Sequence, residues 1–343
     1  MPEPLQLSLG LPAAVGALVV AAAAIAAAGS RLSRVIDRLA DRTGLGEAIA
    51  GMVLLGAATS LSGLATSVLA AGFGNASLAV SNSMGGIAIQ TLFLVVADVM
   101  YRRVNLEHAA ASLTNIFTSL LMILLLAIVV LGAAAPPVTV LGVHPATVLL
   151  VGAYVYGIVL SRRASTSPMW QPERTRATRE DVPASPPADE GLAGLWVRLG
   201  VLALVVLLSG YVVATSGVTI AEQTGVSGTT VGTFLTGVAT SLPELVTTLA
   251  AVRAGALTLA VAGIVGGNTF DVLFVAAADV AYREGSVYAA LAQTDLFVIG
   301  WTMLMVVTLA AGLVQRDRTG IGFEGVAVIA IYVGGLATVP AIG

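Results

Sequence analysis

The chain has 343 residues, of which 57% are hydrophobic and only 10% charged, with a mean hydropathy of +0.96. A soluble domain carries roughly 25% charged residues, so a soluble globular protein is excluded. All sixteen basic residues are arginine and the net charge is -3, which offers no nucleic-acid surface, and the absence of cysteine removes disulfides and thiolate metal sites.

Apolar stretches of about 20 residues, enough to cross a hydrocarbon core, recur along the whole length and predict an all-α polytopic membrane protein embedded in a lipid bilayer. Ten transmembrane helices are expected, at about 6–28, 44–71, 75–100, 107–133, 144–161, 193–217, 226–252, 255–281, 286–313 and 321–341. The first apolar run lacks the basic n-region of a signal peptide and reads as a span. With the N-terminus outside, fifteen of the sixteen arginines fall on the inner side and only Arg283 falls outside. Positive-inside bias therefore predicts an integral protein of the plasma (inner) membrane type with both termini outside. Residues 162–192 are polar and rich in proline, serine and charge, which predicts a flexible cytoplasmic linker. It separates a first five-helix unit (1–161) from a second (193–343).

The two units are copies. At a constant offset of 181 residues, 51–102 lies over 232–283 without a gap, with roughly 23 identities in 52 positions. The matches include ATSL, GG, LF and ADV-x-YR blocks in fixed register. Five spans per copy is an odd number, so the second copy inserts upside down. Inverted repeats of this kind place substrate sites near the bilayer midplane, where helices are interrupted.

The stretch VATSLPELVTTLAA at 238–251 fits such an interruption. A proline inside a helix costs about 3 kcal/mol, and a carboxylate at the bilayer centre on the order of 2.5–3.5 kcal/mol on insertion scales. Pro243 and Glu244 side by side thus predict a break and a cavity. Thr240 and Ser241 precede Glu244 by one helical turn, and GGNTFD sets Asn268 and Asp271 on one face after the paired glycines Gly266 and Gly267, which allow either close approach or loosening of that helix. Straight helices would hold Glu244 and Asp271 about 10 Å apart in depth. Oxygen donors without His or Cys suit hard cations such as sodium or calcium. Asp98 and Asp279, equivalent in the repeat and near loops, read as capping charges. Asp295, about ten residues into the ninth predicted span, reads as a supporting acid or proton carrier. His108 and His144 lie near predicted membrane edges. No His-Glu-x-x-His run or catalytic dyad appears, so no enzyme is expected.

With ATSLPELVTT, GGNTFDVLF and a five-plus-five inverted layout, the sequence resembles the cation/calcium exchanger superfamily, which includes sodium/calcium exchangers. In that family each repeat carries a signature, similar to G-T-S-L-P-E in one region and G-S-N-x-F-D/N in another. The resemblance implies that Thr240, Ser241, Glu244, Asn268 and Asp271 form half of a cation site, with Gly267 where the family often has serine. The first copy departs. Ser62 and Gly63 stand where proline and a ligand glutamate are expected, and Ile87 replaces asparagine, while Gln90 holds the last polar position. Thr59, Ser60 and Gln90 remain as neutral ligands. The implied function is secondary active cation antiport by alternating access around Glu244 and Asp271, with Ca2+, Na+ or H+ as substrates and no cofactor. The missing glutamate keeps two alternatives open. One is a sodium- or potassium/proton antiporter without calcium transport, since calcium takes six to eight oxygens and this site is poorer in charge and oxygen. The other is a non-transporting, exchanger-derived membrane subunit. The sequence assigns no oligomeric state.

Overall fold

The computed structural model describes residues 9–43, 56–101, 104–166, 168, 170–176, 178, 191–316 and 320–342. Its helices, in chain order, are α1 (Leu11–Thr43), α2 (Leu61–Gly72), α3 (Ala76–Tyr101), α4 (Leu113–Ala134), α5 (Pro145–Thr166), α6 (Leu192–Thr224), α7 (Gly228–Thr240), α8 (Leu242–Ala254), α9 (Leu257–Ala281), α10 (Gln293–Gln315) and α11 (Gly322–Ile342). Eight of them, all but α2, α7 and α8, are each long and apolar enough to cross a membrane. The pair α7 and α8 passes that test jointly as a span bent by 41°. Helix α2 is a shorter apolar helix of 12 residues, preceded by a single turn at Gly56–Thr59. The predicted second span begins at residue 44, and its part before Gly56 lies outside the described residues.

Burial separates the helices into two kinds. In α9 and α3, 89% and 78% of the most apolar window is buried, against 22–28% for α1, α5, α6 and α11. Helices α3 and α9 are therefore the central posts, and the outer helices present apolar side chains such as Val20, Val155 and Leu208 outward. The central helices are rich in small residues because association inside lipid relies on close backbone approach. Where α3 crosses α7, a Cβ on Gly85 would sit 2.4 Å from the Thr233 carbonyl oxygen. Helix α7 holds a π-helical turn at Val231–Thr236 against this crossing, a local widening often found at functional sites.

Three helix breaks converge on the central posts. One lies at Ser60, between Gly56–Thr59 and α2; the second lies at Ser241, between α7 and α8; the third lies at Val272 inside α9. Pro243 stands in the first turn of α8, where a missing N–H leaves no intrahelical acceptor unpaired. The break therefore falls before the proline. Gly266 and Gly267 lie within the unbroken segment Leu257–Asp271, so of their two expected roles, close approach and loosening of the helix, loosening is not the one adopted.

Other expectations also shift. The predicted ninth span starts at residue 286, but α10 begins only at Gln293, after a short turn at Tyr288–Ala290. Asp295 accordingly lies in the first turn of α10. Its carboxylate accepts hydrogen bonds from Ala292 N (2.8 Å), Ser77 Oγ (2.7 Å) and Thr229 Oγ1 (2.6 Å). These bonds tie the starts of α3, α7 and α10 together, so Asp295 is a structural clasp. The predicted fourth span starts at 107, whereas a separate turn at Leu106–Ala109, capped by the Asn105 side chain, precedes α4. Asp98 accepts from Leu106 N at 2.6 Å and Asp279 from Val287 N at 3.0 Å, each eight residues further along. Both acids cap a turn at equivalent repeat positions. In the polar connection after α5, the Thr175 hydroxyl lies 2.8 Å from His108 Nε2 and the Glu173 carbonyl accepts from Arg316 at 2.9 Å. This part of 162–192 is packed against the helical body.

Candidate cation site

The helix breaks deliver the polar side chains to one buried place. Glu244 sits in the first turn of α8, where the partial positive charge of the helix N-terminus favours a carboxylate. Asp271 is the last residue before the break in α9. The two acids, about 10 Å apart in depth on straight helices, are brought within electrostatic reach of each other, and the Ser60 hydroxyl stands beside both. Thr59 flanks Glu244 as well. All of these side chains are buried.

Gln90 is the hub of the hydrogen bonding. Its Nε2 donates to Asp271 Oδ2 at 2.8 Å and to Ser241 Oγ at 3.1 Å. Asn268 Nδ2 donates to Thr91 Oγ1 at 3.3 Å and to the Ile87 carbonyl at 3.5 Å. With both amide nitrogens directed at acceptors, their oxygens are left over. Ser60 Oγ, Gln90 Oε1, Asn268 Oδ1, Asp271 Oδ1 and both oxygens of Glu244 are buried without a hydrogen-bond partner among the described residues. Buried polar atoms are nearly always paired, and an unpaired one costs about 1–3 kcal/mol. Six unpaired oxygens in one region, three of them on carboxylates, suit a cation that prefers hard oxygen ligands.

Thr240 contributes differently from the expectation that it shares a ligand face with Glu244. Its hydroxyl donates back to the Thr236 carbonyl at 2.9 Å, while its own carbonyl accepts from Ser62 Oγ at 3.1 Å. The hydroxyl of Ser241 faces Gln90.

Several neighbours carry no motif. Ser83 Oγ donates to the Asp271 carbonyl at 2.6 Å, satisfying an acceptor beside the break inside α9. Asn82 donates to the Gly63 carbonyl at 3.1 Å and to Ser67 Oγ at 3.0 Å, holding α2 against α3. Their repeat equivalents, Gly263 and Ile264, are apolar, so comparing the copies hides them. The only available signal is that SNS at 81–83 interrupts a run, 78–89, of otherwise small and apolar residues. Gly63, the repeat equivalent of Glu244, is covered by an aromatic ring: a Cβ there would lie 2.6 Å from Phe274 Cε2. His108 and His144 are both buried in corners away from these acids, His108 near Arg316 and Thr175, His144 stacked 4.9 Å from Tyr288.

Comparison with known proteins adds the lineage. The sodium/calcium exchanger protein family matches residues 13–162 and 193–339. A protein of Alkalimonas amylolytica named "Putative antiporter CaxA" is 25% identical over 270 residues, 78% of this chain and 81% of that protein. The inner membrane protein YrbG of Escherichia coli (strain K12) is 34% identical over 98 residues, 29% of this chain and 30% of that protein. Among solved structures, the sodium-calcium exchanger NCX_Mj soaked with 10 mM Na+ and zero Ca2+ matches with a TM-score of 0.65 at 16% identity, covering 96% of this chain and 99% of that one. The same exchanger soaked with 10 mM Na+ and 10 mM Sr2+ matches with a TM-score of 0.64 at 15% identity. The likeness to NCX_Mj extends over nearly the whole of both chains, and the family match covers most of this one. The chain is an integral membrane protein that belongs to the sodium/calcium exchanger protein family, a family of cation antiporters.

Proposed function

We propose that this protein exchanges cations across the membrane by alternating access, with Glu244 and Asp271 as the charged ligands and Ser60, Gln90 and Asn268 as neutral oxygen donors. Thr59, Ser241 and Thr240 line the same place, Thr240 through the helix break it helps to form. The observation that carries this reading is the group of six buried side-chain oxygens around two acids, three of them carboxylate oxygens, that make no hydrogen bond among the described residues. Such an arrangement is unfavourable unless a positive charge enters it. A bound cation converts that deficit into affinity, and an empty site cannot readily cross, which is the condition for antiport.

A ten-span chain built from two inverted units, 1–161 and 193–343 joined by 162–192, supports this mechanism. Contacts at the repeat offset favour it. Gln90 bonds Asp271 and Asn268 bonds Ile87, each pair 181 residues apart. Residues that touch their own repeat equivalents lie beside the axis relating the copies, and midplane sites form where such repeats meet. The arginine distribution supports both termini outside a plasma-type membrane.

Two carboxylates supply at most two negative charges, and Gly63 with Phe274 against it closes off the position that would supply a third. This favours sodium or another monovalent ion exchanging with protons over obligatory calcium exchange. NCX_Mj is a sodium-calcium exchanger studied with Na+, Ca2+ and Sr2+; the glycine at position 63, where the family motif implies a glutamate, favours a site less centred on calcium. The test is flux in proteoliposomes under sodium, potassium or proton gradients, with calcium uptake measured in parallel. Sodium-driven proton movement with weak calcium uptake is the expected result. Uncoupled leakage would count against antiport, and no flux of any cation by a folded protein would favour a non-transporting subunit.

A further inference from the structure

Away from the central acids, α1 and α6 lie side by side with Val35 beside Arg198 and Gly16 beside Val212 at opposite ends, so the two helices run antiparallel. Along their seam the surface changes character. At the α1 C-terminal end an open groove of about 420 Å³ is rimmed by Arg31, Arg34 and Arg38 of α1 and Arg198 of α6, above a floor that includes Val35 and Val201. The three α1 arginines stand at i, i+3 and i+7 and so share one face. Residues 31–42 carry four arginines and two aspartates, a net positive segment. Arg31 spends one donor on the Ala27 carbonyl (2.8 Å) and Arg34 one on the Ser30 carbonyl (3.4 Å), out of five N–H donors per guanidinium. Further along the same seam a second open groove, of about 470 Å³, is almost wholly apolar and runs past Val20, Ala24 and Leu208. Seven residues of helix separate Ala24 from Arg31, about 10 Å at 1.5 Å per residue. Trp196, 45% exposed, stands two residues from Arg198, a placement suited to the headgroup level of a bilayer.

A cationic rim at the membrane edge joined to an apolar channel in the same helix seam has the shape and charge order of one kind of molecule. We propose that an anionic phospholipid binds between α1 and α6, its phosphate held by the guanidinium groups of Arg31, Arg34 and Arg198 and one acyl chain laid along Val20, Ala24 and Leu208. Guanidinium recognises phosphate through paired hydrogen bonds, and basic pockets between transmembrane helices bind acidic headgroups. The lipid bridges the two long outer helices. This inference stands whether or not the protein carries ions at its centre.

The test uses the full-length chain purified in a neutral detergent, with dioleoyl phosphatidylglycerol and dioleoyl phosphatidylcholine as probes. Native mass spectrometry and thermal denaturation read binding. Phosphatidylglycerol is expected to be retained at least tenfold more strongly than phosphatidylcholine and to raise the melting temperature. The double variant Arg34→Gln, Arg198→Gln is expected to lose that preference, and Arg34→Lys, Arg198→Lys to keep most of it. The variant Ala24→Phe, which fills the apolar groove and leaves every arginine in place, is expected to weaken retention as well, and it serves as the test if the glutamine variant fails to fold. Equal retention of the two lipids would overturn the proposal, as would an unchanged preference in both the glutamine and the phenylalanine variants. Inorganic phosphate or glycerol phosphate producing the same stabilisation would assign the arginines to a free-anion site and overturn it too.

Discussion

Neither oxygen of Glu244 is held at hydrogen-bond geometry among the described residues, with the hydroxyls of Thr59 and Ser60 as its polar neighbours, whereas Asp271 shares one oxygen with Gln90 at 2.8 Å. The two acids are therefore not equivalent: Asp271 is held in place, and Glu244 waits for charge. Exchange of Glu244 for Gln keeps volume and hydrogen-bonding shape while removing the charge. Cation exchange in proteoliposomes is expected to fall by on the order of 100-fold, since even supporting groups around a metal ligand are worth 10–100-fold, with the melting temperature in detergent unchanged or raised. Gln90→Glu tests the opposite direction. It puts a carboxylate where an amide now donates to Asp271, so a site with two charges gains a third, and charge count tunes calcium affinity. Calcium is expected to inhibit sodium flux at about tenfold lower concentration, a shift read directly from an inhibition curve. Glu244, Asn268 and Asp271 were legible in the sequence because mid-membrane polar residues are rare and costly, and Gln90 was legible through its repeat position. Ser83, Thr91 and Asn82 were not, because their equivalents Ile264, Val272 and Gly263 carry no polar atom and small polar residues serve helix packing equally well.

Helices show themselves in a sequence through sustained apolarity, and here every long one does so. Their interruptions are harder to see. Pro243 announces a break, yet the breaks at Ser60 and Val272 have no proline, and the polar residues beside them lower the local hydropathy without marking where the helix stops. The start of α10 was blurred as well, since Tyr288, Ala289 and Ala290 carry no charge, glycine or proline to set them apart from the helix that follows. What fixes these breaks is contact between elements. Helix α2 leans on α9 where Gly63 meets Phe274, and a Cβ at residue 63 would lie 2.6 Å from the ring. Overpacking of this kind costs about 1–3 kcal/mol. Gly63→Ala is therefore expected to lower the melting temperature measurably, and Phe274→Leu in the same chain to restore most of the loss by removing the ring edge. A double-mutant cycle on thermal denaturation measures the coupling, which neighbours in contact should show and distant sites should not. Additive effects of the two substitutions would mean that the ring does not hold this break.

At the scale of the whole molecule, the central question is the direction in which the second unit enters the bilayer. A pair of copies inserted the same way would place the loop after α2 and the loop after α8 on one side. Inversion places them on opposite sides. Gly72 and Arg253 make the comparison direct: they are 181 residues apart, both are exposed at the ends of α2 and α8, and a Cβ on Gly72 would meet nothing within 4 Å. The chain contains no cysteine, so each position can carry a single reporter thiol without any background substitution. Gly72→Cys is expected to react with a membrane-impermeant maleimide added to intact cells, and Arg253→Cys only after the membrane is opened. Arg253 belongs to the inner-side arginine set, and one arginine fewer among fifteen leaves the orientation bias intact. Labelling of both positions from the same side would remove the inverted pairing, and with it the reason for Gln90 and Asp271 to meet beside a common axis. The cation site would then have to be explained as a chance convergence of two unrelated helix breaks.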